Sequence, residues 1–448
     1  MSKKMMDSER VDENAAEEAD DPVNIFWDKN LSETPKTSFP TKKASIKDGR
    51  VFMPRRETTI IRECDVLVVG GGIAGWAAAT AAARAGAKTI LAERDDSLGG
   101  LWSNGGVLVL LGTGYMADGR YHQTTRGLTD DLIARLEKMG HAVTPRGGDD
   151  HMYYPVADPE ALKVALESLL TESGAEVLYR CQASDAIMDR KAIRGMIFET
   201  RGGRAAILAK QVVDASGEGV AVYASGASYR QYRHGVGFTY RIGGFDRFTP
   251  EAWEAAKAAG LWSGGGEPVS DNRWYACFGD PTDPFDVAAM SRLAMKHRAE
   301  AWKSAADFRK VAGCESAHLI WAATQMGIRG ARTLCGVKSI SRAWAKSNVD
   351  EGDTVAWMGA DGRSRRGSRV PYGCLVAKDV DNLLVAGRVA SCETDMIDLF
   401  RLIAPCLVTG QAAGAAASVA ADMGVSPRKA PIKKIQALLL KQGAYLGR

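Results

Sequence analysis

From residue 64 onward, short unbroken apolar runs alternate with longer stretches rich in small residues. Residues 65–69 are an apolar run ending on glycine, the pattern of a strand buried on both faces. Residues 76–85 are rich in alanine and predict a helix stopped by Gly86, with 89–92 as the next strand. Asp158 and Pro159 supply an N-cap and a first-turn residue for a helix running to Ser173, closed by Gly174. Residues 176–180 read as a strand. Residues 183–213 then alternate apolar and polar, with turn signals at 189–191 and 201–203, which predicts a β-meander. The rhythm breaks over 229–369, where a strand at 237–242 precedes helices near 250–259 and 287–311. A strand at 382–386 and a long helix at 404–423 complete the pattern.

This alternation predicts an α/β fold. A chain of 448 residues is long for one core, so the break is read as an insertion. The expected parts are a first α/β portion at 60–228, an inserted α+β domain at 229–369, and a second α/β portion at 370–448. Residues 1–55 stand apart. Acidic side chains dominate their first half and little there can be buried, so a disordered tail is expected. The apolar run 23–27 could dock on a neighbouring subunit of a homo-oligomer.

The net charge of +4 is small for this length and argues against a nucleic-acid binder. Eight cysteines are scattered without a C-x-x-C pair, so neither a metal site nor a disulfide framework is expected. Reduced thiols in a cytoplasmic protein are the expectation. The chain opens without an apolar signal core, and the low-charge run 402–421 is mostly Ala with several Gly. Runs of that kind pack inside α/β proteins, so no membrane partner is expected.

Four segments carry chemistry. The first is Gly70-x-Gly72-x-x-Gly75, directly after a strand and opening a helix. Gly70 permits the tight turn, Gly72 lets the backbone approach a diphosphate, and Gly75 lets helix and strand pack closely. Ile73 and Ala74 stand at that helix start, and Glu93, followed by Arg94, sits where an acid accepts ribose hydroxyls. The second is Leu98-Gly99-Gly100-Leu101-Trp102, a loop with room to run beside the same ligand. The third, around Ala215-Ser216-Gly217, ends a strand after the meander, which itself brings in Ala183. The fourth is Gly387-Arg388 after the late strand, followed by Arg401 and the helix bearing Ala404 and Leu407. A helix N-terminus there would stabilise the negative charge of a reduced flavin.

Together these segments resemble the FAD-dependent oxidoreductases of the glutathione-reductase-type superfamily, and among them the group allied to fumarate-reductase and succinate-dehydrogenase flavoproteins. The resemblance covers roughly residues 60–425 and extends to Met326-Gly327-Ile328-Arg329-Gly330-Ala331-Arg332, 370–376 and 400–405. It implies a Rossmann-like FAD-binding domain with a β-meander, wrapped around the inserted substrate domain. Many relatives carry an acid where Arg388 stands. Residues 101–106 lack the histidine that anchors flavin covalently in some relatives, so FAD is expected to be non-covalent.

The resemblance implies an oxidoreductase that dehydrogenates or reduces a small organic substrate, with an unidentified electron donor or acceptor. Arg401 is the first catalytic candidate, for a flavin or substrate anion; a salt bridge to Asp395 or Asp398 competes with that role. His234, with His122 and His151 behind it, is a candidate acid or base, and Tyr240 shares its strand. Arg329 and Arg332 are further anion binders. The basic run at 363, 365, 366 and Arg369 reads as a solvated loop. A flavin monooxygenase is the alternative, and a flavin redox sensor or nucleic-acid-associated factor the third reading.

Overall fold

The computed structural model describes residues 44–53, 57–107, 110–118, 120–140, 158–261, 272–359 and 367–447. The chain forms two compact units, Met1–Glu57 and Thr58–Arg448. In the first, Ser45–Lys47 and Arg50–Phe52 pair antiparallel around Asp48-Gly49, both at positive φ. Asp-Gly is a strong two-residue hairpin signal, so this end of the expected tail is ordered. Residues 1–43, with the run at 23–27, lie outside the described residues.

The second unit is built on a seven-stranded sheet. Its strands are β1 (Thr59–Val69), β2 (Thr89–Ala92), β3 (Glu176–Leu178), β4 (Gln182–Asp189), β5 (Ala192–Thr200) and β6 (Gly203–Asp214), joined by the late strand Leu383–Val385. The spatial order is β3-β2-β1-β6-β5-β4, and Leu383–Val385 pairs with the end of β6. β1, β2, β3, β6 and the late strand are mutually parallel, while β4 and β5 form the antiparallel meander. Register matters most here. Val69 lies opposite Ala92 and Asp214, and Asp214 opposite Val385. Four strands therefore end at one edge, where parallel α/β sheets place their ligands.

Two helices cover one another above this edge. α1 (Ile73–Arg84) starts three residues before the helix expected from composition, because Gly72 already serves as its N-cap. The helix after Asp158 is α2 (Pro159–Glu172); the Asp158 side chain accepts from the Glu160 and Ala161 N–H groups, as the sequence led one to expect. Near the C-terminus, Ile403–Asp422 is apolar on all sides and almost wholly buried. It is long and apolar enough to cross a membrane, yet 89% of it is buried inside the protein, as in a core helix. Its glycines explain how closely it packs on α1. A Cβ on Gly410 would stand 2.2 Å from the Ala74 carbonyl oxygen, and one on Gly414 2.0 Å from that of Ala78.

Residues 229–369 do not form one separate body. A second sheet of β7 (His234–Gly243), β8 (Asn272–Thr282) and β9 (His318–Ala322) packs on α3 (Pro250–Ala258) and α4 (Val287–Phe308) around its own core of Phe238, Tyr240, Phe245, Tyr275 and Phe308. Leu334, Ile340, Val355, Ala356 and Met358 instead join the main core. The distinct core thus ends near Met326, well short of 369, because the chain returns to the first sheet there. With the elements in chain order, the late strand Leu383–Val385 becomes β10 and Ile403–Asp422 becomes α5.

Adding a methyl at Gly414 forces the two helix backbones apart. Gly414→Ala should lower unfolding stability by about 1–3 kcal/mol, read from the denaturation midpoint at unchanged slope.

Candidate active site

The glycine turn is shaped by contacts on three sides. Gly70 adopts φ +98°, and a Cβ there would meet Ala215 and Ser216 backbone at 2.7–2.9 Å. The Gly71 N–H donates to the Glu93 carboxylate, whose other oxygen accepts from the Asp95 N–H at 2.8 Å. Glu93 is buried, and burial pushes its carboxyl upward against the pull of those two donors. The Gly99 N–H donates to the Gly71 carbonyl at 2.9 Å, laying the 99–102 loop beside the turn. Asp214, fully buried, accepts from Ser216 N–H, Ser216 hydroxyl (2.6 Å) and Val222 N–H, which fixes the third segment.

What this leaves empty is informative. No side chain caps α1, so the N–H groups of its first turn point outward. A Cβ on Gly72 would meet nothing within 4 Å, whereas one on Gly75 would lie 1.8 Å from the Gly70 carbonyl oxygen. One motif glycine faces open space; the other is a packing contact.

The open space continues as a cleft of about 780 Å³. Gly70, Gly72, Ile73, Ala74, Glu93 and Arg94 line its first part, and Gly99, Gly100, Leu101 and Trp102 one side. Ala215, Ser216 and Gly217 line the other side, with Arg388 and Arg401 at the far end. Ala183 instead lines a smaller neighbouring hollow that shares Glu93, Arg94 and Ser216. Gly387, at φ +63°, packs on Ala74 and Cys406 behind the wall. Ala404 and Leu407 face the core, and Ile403 and Cys406 take the cleft positions expected of them. Glu218, Met326 and Ile328, which stand in segments the sequence singles out without assigning them to the cofactor, also line it, as does Gln325, which the sequence does not single out. Glu218 pairs with Arg94 at 3.3 Å, and Gln325 donates to Asp95.

A second cavity of about 830 Å³ shares Leu101, Ile328, Arg388, Arg401 and Ile403 with the first. Three guanidinium groups border it. The Arg388 side chain donates to the Gly217 (2.5 Å) and Ile328 carbonyls, and burial pulls its pKa down. Arg329 lies 4.4 Å from the Phe278 ring centroid; burial and then the charge of Arg401 pull its pKa down. Arg401 pairs with Asp398 at 2.8 Å, so the expected salt bridge and the cleft position coexist. Burial pushes the Asp398 carboxyl up, but Arg401 and His234 together hold it below the usual carboxylate range. Among the described residues, Arg329 and Arg388 have no carboxylate within ion-pair distance.

The proposed acid–base residues fall elsewhere. Tyr240 is on the wrong face of β7: side chains alternate along a strand, and Thr239 lines the cavity while Tyr240 stacks on Tyr275 in the second core. His234 lines neither cavity, and its Nε2 lies 3.2 Å from Asp398 Oδ1, behind Arg401. His122 stacks on Tyr115 in a hairpin away from the cleft, and His151 lies outside the described residues. Arg332 packs on the rings of Phe285 and Tyr223. Arg369 pairs with Asp350; the rest of that basic run lies outside the described residues. Cys392 and Cys406 are buried thiols, pushed by burial up to about 12 and about 11.

Residues 65–439 match the family described as FAD dependent oxidoreductase. The chain belongs to that family. It is an FAD-dependent enzyme, and the cleft suits the cofactor: an uncapped helix start with open space at Gly72 for a diphosphate, and a buried acceptor at Glu93 beside it. Thiamine thiazole synthase of Methanococcus aeolicus is 27% identical over 169 residues, 36% of this chain and 57% of that protein. The Aeropyrum pernix thiamine thiazole synthase is 31% identical over 134 residues, 30% of this chain and 43% of that protein. The chain thus spans about half the length of the curated relatives it matches. A geranylgeranyl bacteriochlorophyll reductase-like protein from Thermoplasma acidophilum superposes with TM-score 0.42 at 15% identity, covering 86% of this chain and 84% of that one.

In this FAD-dependent oxidoreductase the motif glycines should separate by experiment. Gly72→Ala should leave apoprotein stability within about 0.5 kcal/mol of wild type while weakening FAD binding roughly tenfold or more. Gly75→Ala should destabilise the apoprotein itself, and thermal unfolding with and without FAD reads both effects.

Proposed function

We propose that this enzyme dehydrogenates or reduces a small organic anion, a carboxylate by preference, held in the second cavity against non-covalent FAD. The observation that carries this reading is a pair of guanidinium groups with no carboxylate at ion-pair distance among the described residues: Arg388, which lines both cavities, and Arg329, which lines the second. Apolar Val107, Phe278 and Leu402 complete the walls, which favours a substrate with an apolar body behind its charge. FAD supplies the hydride or electron transfer when bound.

The chain's own groups divide the remaining work. The N–H groups opening α1 hold the diphosphate, Glu93 accepts from the ribose, and Arg94 is steadied by Glu218. Arg388, fixed by two carbonyls, presents charge to both cavities. Arg401 is oriented by Asp398, and His234 in turn orients Asp398, so His234 acts as a positioning residue. We also place the chain with the glutathione-reductase-type flavoproteins allied to fumarate reductase, on the segment 326–332. Its Met326 and Ile328 border the cofactor cleft, and its Arg329 the substrate cavity.

Anaerobic mixing of the enzyme with a panel of carboxylates, scored by loss of flavin absorbance, tests the reading. A member of the panel should bleach the flavin, or its unsaturated counterpart should reoxidise dithionite-reduced enzyme. Flavin reduced only by a nicotinamide, followed by oxygen uptake into the product, would replace this reading with a monooxygenase. Arg329→Met should raise KM for the active carboxylate roughly 10- to 100-fold, with kcat changed less and the flavin spectrum retained.

A further inference from the structure

On the other side of the second sheet lies a group of side chains that the flavin chemistry does not use. Along β8, Phe278 faces the substrate cavity, so Cys277 points the opposite way, toward α4. Two side chains of α4, His297 and Glu300, meet it there at the i,i+3 spacing that puts them on one helix face. The ligand atoms of Cys277, His297 and Glu300 all lie within 4.8 Å of one another. His297 Nδ1 is 2.8 Å from Glu300 Oε2. No other such group occurs among the described residues.

We infer that Cys277, His297 and Glu300 form a binding site for a divalent transition-metal ion of the zinc type, separate from the flavin. Thiolate, imidazole and carboxylate are the donors that zinc combines, and three protein ligands leave a fourth position for water. With zinc–ligand lengths of about 2.0–2.3 Å, tetrahedral donors stand roughly 3.3–3.6 Å apart, so small side-chain movements close the set.

The His297 ring is 1% exposed and stacks on Phe238, which holds the imidazole in place; its Nδ1 is the nitrogen turned toward Glu300 and is the donor that would meet a metal shared with that carboxylate. Lys296 pairs with Glu300 at 3.8 Å but is largely exposed, so it yields to a stronger cation. The half-exposed Glu300 provides the route of entry. Binding displaces the thiol proton to solvent and changes no oxidation state. Its effect is to clamp α4 to β8, directly behind Phe278.

The test uses the full-length, FAD-loaded enzyme after chelator treatment, titrated with Co2+ and then with Zn2+. The expected result is saturable uptake of about one Co2+ per chain, with tetrahedral absorption to the red of the flavin bands, bleached by Zn2+. Cys277→Ser should abolish the thiolate charge-transfer absorption and weaken metal binding roughly 100-fold or more. Glu300→Gln, on a half-exposed residue that leaves the core intact, should weaken it roughly tenfold, so a folding failure of the first variant does not block the test. Wild-type enzyme that takes up no Co2+, or absorption that survives unchanged in Glu300→Gln, would overturn the site.

Discussion

The contact between the backbones of α1 and α5 governs where everything else can sit. Gly410 and Gly414 bring α5 so near that their missing side chains would overlap the Ala74 and Ala78 carbonyls. These helices are more than three hundred residues apart in sequence, yet they meet without an intervening side chain that could adjust. Close-packed interiors transmit such a constraint instead of absorbing it. It fixes the start of α5, and with it Ile403 and Cys406, against the start of α1. The cleft is therefore defined by two helix ends locked together, and the strand ends below them supply its floor.

That cleft is lined by charges of both signs. At one end a buried carboxylate, Glu93, accepts two backbone N–H groups and has capacity for further donors. Arg388 is partly buried against carbonyl oxygens, which orient its guanidinium, and the charge of Glu218 acts on it from nearby. Asp398 offsets Arg401 but is shared with His234, and it does not extend to Arg329 as an ion pair. Glu218 and Asp398 offset these charges in part, and Arg388 and Arg329 keep no direct carboxylate contact among the described residues.

Much of this was legible in the sequence because it depends on local rules. The glycine turn, the Asp158 cap, the meander and the long terminal helix follow from spacing and capping over a few residues. What escaped depends on faces and on distant partners. The strand at 237–242 was recognised, but an almost wholly apolar strand gives no sign of which neighbours face the cavity, and Tyr240 was chosen over Thr239. The same ambiguity moved the helix contacts from Ile403 and Cys406 to Ala404 and Leu407. Glu218 and Gln325 line the cleft, held there by Arg94 and Asp95, partners distant in sequence. The Cys277 group is a further case: spacing along the chain gives no sign that Cys277, His297 and Glu300 come together, because they meet across a sheet–helix interface.

The second sheet thereby becomes a wall with two chemically different faces. It keeps a core separate from the main one, and the two meet largely through polar links. The Thr239 hydroxyl donates to the Gly105 carbonyl, the Thr324 N–H to Asn104 at 3.0 Å, and Gln325 to Asp95. Hydrogen bonds of this kind contribute about 1 kcal/mol each and fix direction, whereas apolar packing would dominate a rigid joint. Arg388 belongs to the flavin-binding side of that joint, and Arg329 follows directly on the strand paired with β7. Arg388 itself bridges that joint, donating from the flavin-binding side to the Ile328 carbonyl on the strand paired with β7.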